Sequence, residues 1–150
     1  MIGHVRMATN NRTVNGSSAH PFMTRGIILA HNGRFGGSIG VEAERRKVSD
    51  SLVFLEVLAE RWTEKTAEGL REALTGIMTN NTLVGDYSGA NLLILYEGTL
   101  YAFRCYRTSG SYYSLYLFTA PGVAIVSSEQ LDESENWRLL DNMELVELTP

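Results

Sequence analysis

The spacing of apolar residues changes once along this chain, from a helical period to a strand period, and this change restricts the possible folds. In residues 50–62 and 67–78 apolar side chains recur every three or four positions, which predicts two amphipathic helices, with Ser49 as the N-cap of the first. Five strands are predicted after them, at residues 91–96, 100–106, 112–118, 123–127 and 145–148. Turns at Glu97-Gly98-Thr99 and Ala120-Pro121-Gly122 join neighbouring strands, so the sequence predicts an α+β fold with antiparallel sheets.

The part of the chain before these helices carries strand patterns separated by loops. Residues 2–8 alternate apolar and polar side chains, and residues 26–31 form a β-branched run that stops at the turn signal Asn32-Gly33. Residues 33–40 contain four glycines, which predicts a mobile loop, and residues 41–48 predict a short helix. Such a loop next to Asn32-Gly33 would be a natural cover for a ligand bound there.

Composition excludes several classes of function. The chain has 150 residues, of which 44% are hydrophobic, so it is expected to form one domain over residues 1–150 with a sizeable core. The formal charge of −4 argues against nucleic-acid partners, and no apolar run is long enough to span a membrane. The single cysteine, Cys105, excludes an internal disulfide, so we expect a cytoplasmic protein.

Four residues in three short phrases have the chemistry needed to hold a small amino acid. Arg6 offers a planar, permanently charged donor for a carboxylate. Asp50, at a predicted helix start, offers an anion for an ammonium group. Asn32 and Gly33 offer a side-chain amide and a backbone N–H for an oxygen that becomes negative during a reaction. Gly33 can also adopt a positive φ, which would turn its N–H toward that oxygen.

Each of these residues also has an ordinary structural explanation. A strand arginine is usually a surface residue, and Asn-Gly at a strand end is usually a hairpin turn. An aspartate at a helix start usually interacts with the helix dipole. Spacing alone therefore leaves open whether Arg6, Asn32-Gly33 and Asp50 bind a ligand or have ordinary structural roles.

The ordered set of phrases resembles the signatures of class II glutamine amidotransferase domains. The phrases are residues 3–9 (GHVRMAT), 19–22 (AHPF), 28–33 (ILAHNG), 49–51 (SDS), 100–104 (LYAFR) and 126–129 (VSSE). The resemblance implies an N-terminal-nucleophile hydrolase fold: a four-layer αββα sandwich, here incomplete at its N-terminal edge. It implies that Arg6 binds the glutamine carboxylate, that Asn32 and Gly33 form the oxyanion hole, and that Asp50 contacts the α-amino group. It also implies that Thr9 lines the pocket and that no metal or other cofactor takes part.

The nucleophile of that family is a cysteine at the mature N-terminus, upstream of the Gly-His-x-Arg phrase, and these 150 residues contain no equivalent. Cys105 lies in an apolar strand and is expected to be a core residue. We therefore expect no glutaminase turnover from these residues alone, and an unpaired sheet edge with exposed apolar side chains beside residues 2–8. The alternatives are a non-catalytic module that binds glutamine or γ-glutamyl compounds, and part of a γ-glutamyl amide hydrolase. A companion synthase or a homo-oligomer would be its macromolecular partner.

Two other sets of residues were weighed as possible sites. His4, His20 and His31 lie on separate segments without the spacing of metal ligands, so no metal site is expected. Tyr112, Tyr113 and Tyr116 have no basic groove beside them in the sequence. We expect cross-strand packing from these tyrosines rather than base stacking.

Overall fold

The computed structural model describes residues 19–148, which contain eight strands and four helices. The strands are β1 (Phe22–Thr24), β2 (Ile27–Gly33), β3 (Ala90–Tyr96), β4 (Thr99–Arg104), β5 (Tyr116–Ala120), β6 (Val123–Ser127), β7 (Trp137–Leu139) and β8 (Glu144–Leu148). The helices are α1 (Gly37–Arg46), α2 (Asp50–Arg61), α3 (Ala67–Met78) and α4 (Asn81–Val84). The predicted strand at residues 2–8 lies outside the described residues. The order of the other elements confirms the predicted α+β class.

Five strands form one antiparallel sheet in the order β1-β2-β3-β4-β8. Tyr96 pairs with Thr99 across Glu97 and Gly98, so the predicted hairpin turn between β3 and β4 is confirmed. On the other side of β3, Asn32 lies directly opposite Asn91. The end of β2 is therefore held against the start of β3 by the sheet ladder.

On one face of this sheet α2 packs against β1 and β2, and α1, α3 and α4 pack around it. The side chain of Ser49 caps α2 by accepting a hydrogen bond from the Ser51 N–H, as predicted, and Thr66 caps α3 in the same way. The buried side chains of this layer form one core with the five-stranded sheet. Its largest members are Trp62, Phe35, Phe54, Phe103, Ile27, Leu29, Ile39, Leu55, Leu58, Leu70, Leu74 and Ile77.

A second antiparallel sheet, in the order β6-β5-β7, packs on the opposite face of the first. Leu117 pairs with Val126 across β5 and β6, and both contribute to a second core that includes Ala102 of β4. Helices, large sheet and small sheet thus form three stacked layers from residues 19–148. These are three of the four layers predicted for the sandwich.

The outer face of the small sheet is apolar and open to solvent. Phe118 pairs with Ile125, and Ile125, Val123 and Leu139 are all exposed. Within the described residues β6 is also an edge strand. The unpaired edge and apolar surface expected beside residues 2–8 lie outside the described residues and stay a prediction.

The predicted mobile loop at residues 33–40 is wrong beyond Gly36, because α1 already begins at Gly37. A Cβ on Gly37 would lie 2.5 Å from the carbonyl oxygen of Leu83 and 2.6 Å from the nitrogen of Gly85. The Gly36 N–H also donates to the Val84 carbonyl at 2.8 Å. These glycines permit close packing of α1 on α4 rather than mobility, and the helix predicted at residues 41–48 is part of α1.

The strand predicted at residues 112–118 begins only at Tyr116. Tyr112 and Tyr113 instead form a turn in which both backbone N–H groups donate to the Ser109 carbonyl. The Tyr113 hydroxyl contacts Ser88 Oγ at 2.6 Å, and Tyr112 is exposed, so the predicted cross-strand packing of these two tyrosines is wrong. The backbone turns here because the Arg104 guanidinium binds carbonyls in this segment.

Within residues 19–148, no helix combines the length and the apolar character needed to cross a bilayer.

Candidate functional site

Asn32 and Gly33 end β2 at the margin of the large sheet. Gly33 has φ +147°, so the predicted positive φ is confirmed. A Cβ at this position would lie only 2.1 Å from the Gly89 carbonyl oxygen and 2.8 Å from His31 Nε2. Only glycine therefore fits here. The neighbouring Asn32 is exposed, so its amide is accessible to a ligand.

Asp50 is half-buried at the N-terminus of α2, and both of its carboxylate oxygens accept backbone hydrogen bonds. The Phe35 N–H donates to Oδ2 at 2.7 Å, and the Ser51 N–H donates to Oδ1 at 2.9 Å. The first of these bonds joins the segment after Gly33 to the start of α2. The Ser49 hydroxyl also donates to Oδ1, at 3.4 Å, whereas Oδ2 has one donor and can accept a further hydrogen bond from a ligand.

A second connection runs beside the first, through His31 and Ser51. His31 Nδ1 and Ser51 Oγ are 2.8 Å apart and both side chains are buried. The His31 ring stacks on Phe35 at 4.4 Å, and Phe35 stacks on Phe54 of α2 at the same distance. β2 and α2 are therefore fixed to each other on either side of Asn32-Gly33 and Asp50.

The structure thus brings three of the predicted site residues, Asn32, Gly33 and Asp50, into one region. Arg6 and Thr9 lie outside the described residues. The roles assigned to all five stay predictions. The sequence analysis missed the supporting residues His31, Phe35 and Ser51, although two of them are the immediate neighbours of Asn32 and Asp50.

Two surface hollows of the described chain lie away from Asp50. One, of about 370 Å³, lies between α2 and α3 and is lined by residues that include Glu60, Glu64 and Glu72. The other, of about 320 Å³, is lined by residues 86–88 and 107–108. This second hollow adjoins Gly89, which contacts Gly33, so it lies next to the end of β2 but does not include it.

Cys105 follows β4 and is a core residue, as predicted, with 1% of its surface exposed. Its sulfur contacts the Tyr87 hydroxyl and the Met143 sulfur, each at 3.2 Å. Burial raises the pKa of the Cys105 thiol, so the protonated form is favoured at neutral pH. Burial, and then the bond to Cys105, also raises the pKa of Tyr87 to about 12. This pair is suited to packing and not to nucleophilic attack.

We expect Cys105 to react with iodoacetamide at least about a hundredfold more slowly in the folded protein at neutral pH than in urea, because reaction requires an opening of the core. Mass spectrometry of time points with and without urea measures both rates. The Cys105→Ala variant controls for modification elsewhere. Equal rates in the two conditions would contradict the assignment of Cys105 to the core.

The histidines give no indication of a metal centre in the part of the chain that the structure describes. The rings of His20 and His31 are 6.5 Å apart, and each packs against a phenylalanine. Between residues 19 and 148, no three His, Cys, Asp or Glu side chains are grouped so that they could hold a metal ion. His4 lies outside this range.

Comparison with known proteins gives a result for the fold only. No protein-family model and no curated protein matches the sequence. Among solved structures, the chain is similar to a glutamine aminotransferase class-II domain protein from Silicibacter pomeroyi. The TM-score is 0.63 and the identity 21%, over 87% of this chain and 67% of that one. The fold is that of a class II glutamine amidotransferase domain.

A second solved structure agrees with this amidotransferase fold. It is a predicted glutamine amidotransferase from Pseudomonas aeruginosa, with a TM-score of 0.57 and 19% identity, over 96% of this chain and 67% of that one. The resemblance found in the sequence is thereby confirmed, together with the N-terminal-nucleophile hydrolase type of fold. Identities of 21% and 19% show the fold alone. In this fold β2 carries Asn32 and Gly33, and α2 begins at Asp50.

Proposed function

We propose that this domain binds L-glutamine, or the γ-glutamyl group of a larger compound, at the end of β2 and the start of α2. Arg6 receives the α-carboxylate, Asp50 the α-ammonium group, and Thr9 lines the pocket. The Asn32 side chain and the Gly33 N–H donate to the side-chain carbonyl oxygen. The site uses charge-assisted hydrogen bonds at one end of the ligand and neutral donors at the other.

One observation carries this proposal: the Phe35 N–H donates to Asp50 at 2.7 Å across a separation of 15 residues. Asn32 and Gly33 do not form a hairpin turn, because they pair with Asn91 and Ala90 of β3. Here the bond, the His31–Ser51 contact and the stacked rings hold an amide donor pair and a carboxylate in one rigid unit. Fixed donors and acceptors are what selective binding of a small zwitterion requires.

In the amidotransferase reaction that this site would serve, a cysteine thiol adds to the side-chain carbonyl carbon of glutamine. The carbonyl oxygen becomes negative in the tetrahedral intermediate, where Asn32 and Gly33 stabilise it. Collapse of the intermediate releases ammonia and leaves a thioester, which water hydrolyses to glutamate. The thiol would have to come from outside these 150 residues, since Cys105 is buried in the core.

The burial of Cys105 favours binding without turnover for these 150 residues by themselves. A coupled assay of glutamate release is expected to show no activity above background. Turnover that survives Cys105→Ala would contradict this expectation.

An unpaired thiol also fits the reducing conditions of the cytoplasm, which is where we place the protein.

Calorimetric titration with L-glutamine tests the site directly. Arg6→Ala and Asp50→Asn are each expected to weaken binding by about tenfold or more, because each removes a charge-assisted hydrogen bond. Arg25→Ala is the matched control, since Arg25 is an exposed arginine whose ion pair with Glu60 is 3.9 Å long. Equal affinities for wild type and both site variants would show that glutamine does not bind where we propose.

A further inference from the structure

Asn91 lies on β3 directly opposite Asn32 and is buried, with 5% of its surface exposed. Directly opposed residues of an antiparallel pair project from the same face of the sheet, with Cβ atoms about 5 Å apart. The two carboxamides are therefore within reach of each other.

A hydrogen bond to the neighbouring segment fixes the orientation of the Asn91 carboxamide. Its Nδ2–H donates to the Ser114 carbonyl at 2.9 Å. Because a carbonyl oxygen only accepts, the group that faces Ser114 must be the amide nitrogen, and Oδ1 must point the other way.

The Ser114 carbonyl is itself held in place by its neighbours. The Ser114 hydroxyl donates to the Ser128 carbonyl at 2.7 Å, and Arg104 Nε donates to the preceding carbonyl, that of Tyr113, at 2.8 Å. Asn91 is therefore anchored at its nitrogen to a rigid segment.

The Asn91 Oδ1 atom is buried and has no hydrogen-bond partner among residues 19–148. A buried acceptor without a donor lowers stability, so native proteins rarely keep one without a use for it. The donor nearest in the strand register is the Asn32 side-chain amide, whose nitrogen carries two N–H groups.

We infer that Asn91 is a positioning residue for Asn32, an inference that rests on the proposed glutamine site. When a ligand orders the exposed Asn32 side chain, one Nδ2–H of Asn32 donates to Asn91 Oδ1. The second N–H of the same nitrogen then points at the carbonyl oxygen of the ligand. Asn91 thereby selects the amide orientation that presents nitrogen, and it excludes the flipped orientation, which would set Asn32 Oδ1 against the ligand oxygen.

The test compares two ligands, L-glutamine and L-norvaline, in which a methyl group replaces the carboxamide. Wild type is expected to bind glutamine more tightly than norvaline. Asn91→Leu is expected to weaken glutamine binding by about fivefold to tenfold and to leave norvaline binding unchanged, because only glutamine has the carbonyl oxygen that Asn32 contacts. A merely structural role for Asn91 would weaken both ligands equally, and that result would overturn the inference.

A double-mutant cycle supplies a second readout. In an Asn32→Ala background, Asn91→Leu should cause no further loss of glutamine affinity, since the side chain it positions is gone. If Asn91→Leu weakens glutamine binding by the same factor in this background as in wild type, the inference is overturned. Asn91→Ser, whose hydroxyl is too short to reach Asn32, is the substitute if Asn91→Leu fails to fold, and the same outcomes apply to it.

Binding by wild type separates the role of Asn91 from the existence of the glutamine site. If wild type binds neither ligand, the glutamine site itself is refuted and the inference with it. If wild type prefers glutamine and neither Asn91 variant changes that preference, the site stands and only the role of Asn91 is overturned.

Discussion

Gly33→Ala is expected to lower the free energy of unfolding by about 3 kcal/mol or more, because the new methyl group has no space and the backbone is unsuited to it. The added Cβ would lie 2.1 Å from a backbone oxygen, that of Gly89, which cannot move without breaking the pairing of β2 with β3. The φ of +147° adds strain that any L side chain would feel. Urea unfolding followed by the fluorescence of the two buried tryptophans, Trp62 and Trp137, measures the loss.

Gly98→Ala is the matched control for this prediction. Gly98 also has a positive φ, +85°, but nothing lies within 4 Å of the position of its missing Cβ. Its substitution should cost only about 1 kcal/mol, from backbone strain alone. Equal losses for the two variants would show that the Gly33–Gly89 contact is not as close as the structure has it.

Arg104→Met is expected to cost about 3 kcal/mol, because it removes three hydrogen bonds from a charged group whose acceptors are backbone carbonyls. Arg104 is 4% exposed. Its guanidinium donates to the carbonyls of Tyr113, Leu140 and Gly110 at 2.8, 2.5 and 2.7 Å, and it lies over the ring of Tyr106. Among the described residues no carboxylate pairs with it, so carbonyl dipoles and the Tyr106 ring balance its charge.

Arg107→Met serves as the control, since Arg107 is a nearby arginine with exposed partners. It bonds to Asn81 and to the Gly85 carbonyl, forms an ion pair with the exposed Asp86 at 3.7 Å, and lies over the ring of Tyr87. Solvent replaces such contacts easily, so the loss should be about 1 kcal/mol or less. Urea unfolding gives both values, and an Arg104 variant no less stable than the Arg107 variant would contradict the anchoring role.

The parts of the fold that the sequence predicted well are those with a long, regular apolar period. The helices α2 and α3 begin where Ser49 and the apolar pattern indicate, and β3, β4, β6 and β8 lie where predicted to within a few residues. In each case burial of one face decides the structure, and the sequence records that face directly. Short elements such as α4 and β7 carry too few residues to show a period.

The errors arose where contacts between distant segments decide the local structure. The glycines before α1 looked like a flexible loop, yet Gly37 and Gly85 are there because two backbones meet. The tyrosines at 112 and 113 looked like a strand, yet Arg104 draws their segment into a turn. Neither contact affects the spacing of apolar residues, so neither can be predicted from that spacing.

In the candidate site, too, the sequence reveals residue types but not the contacts between distant segments. Asn32, Gly33 and Asp50 were found as types of residue suited to a chemical task. The His31–Ser51 bond and the bond from the Phe35 N–H to Asp50 could not be found from spacing, because each joins β2 and its exit to a helix through the folded core. The unpaired acceptor of Asn91 is likewise visible only once the register of β2 against β3 is known.

The most direct test of the central claim is an amide NMR titration with L-glutamine, observing the backbone N–H of Gly33 and Phe35 and the side-chain amide of Asn32. We predict that these resonances shift together along one saturation curve, whereas the amides of Gly98 and Gly122 do not move. Shifts confined to the hollow between α2 and α3, or no shifts at saturating glutamine, would contradict the account.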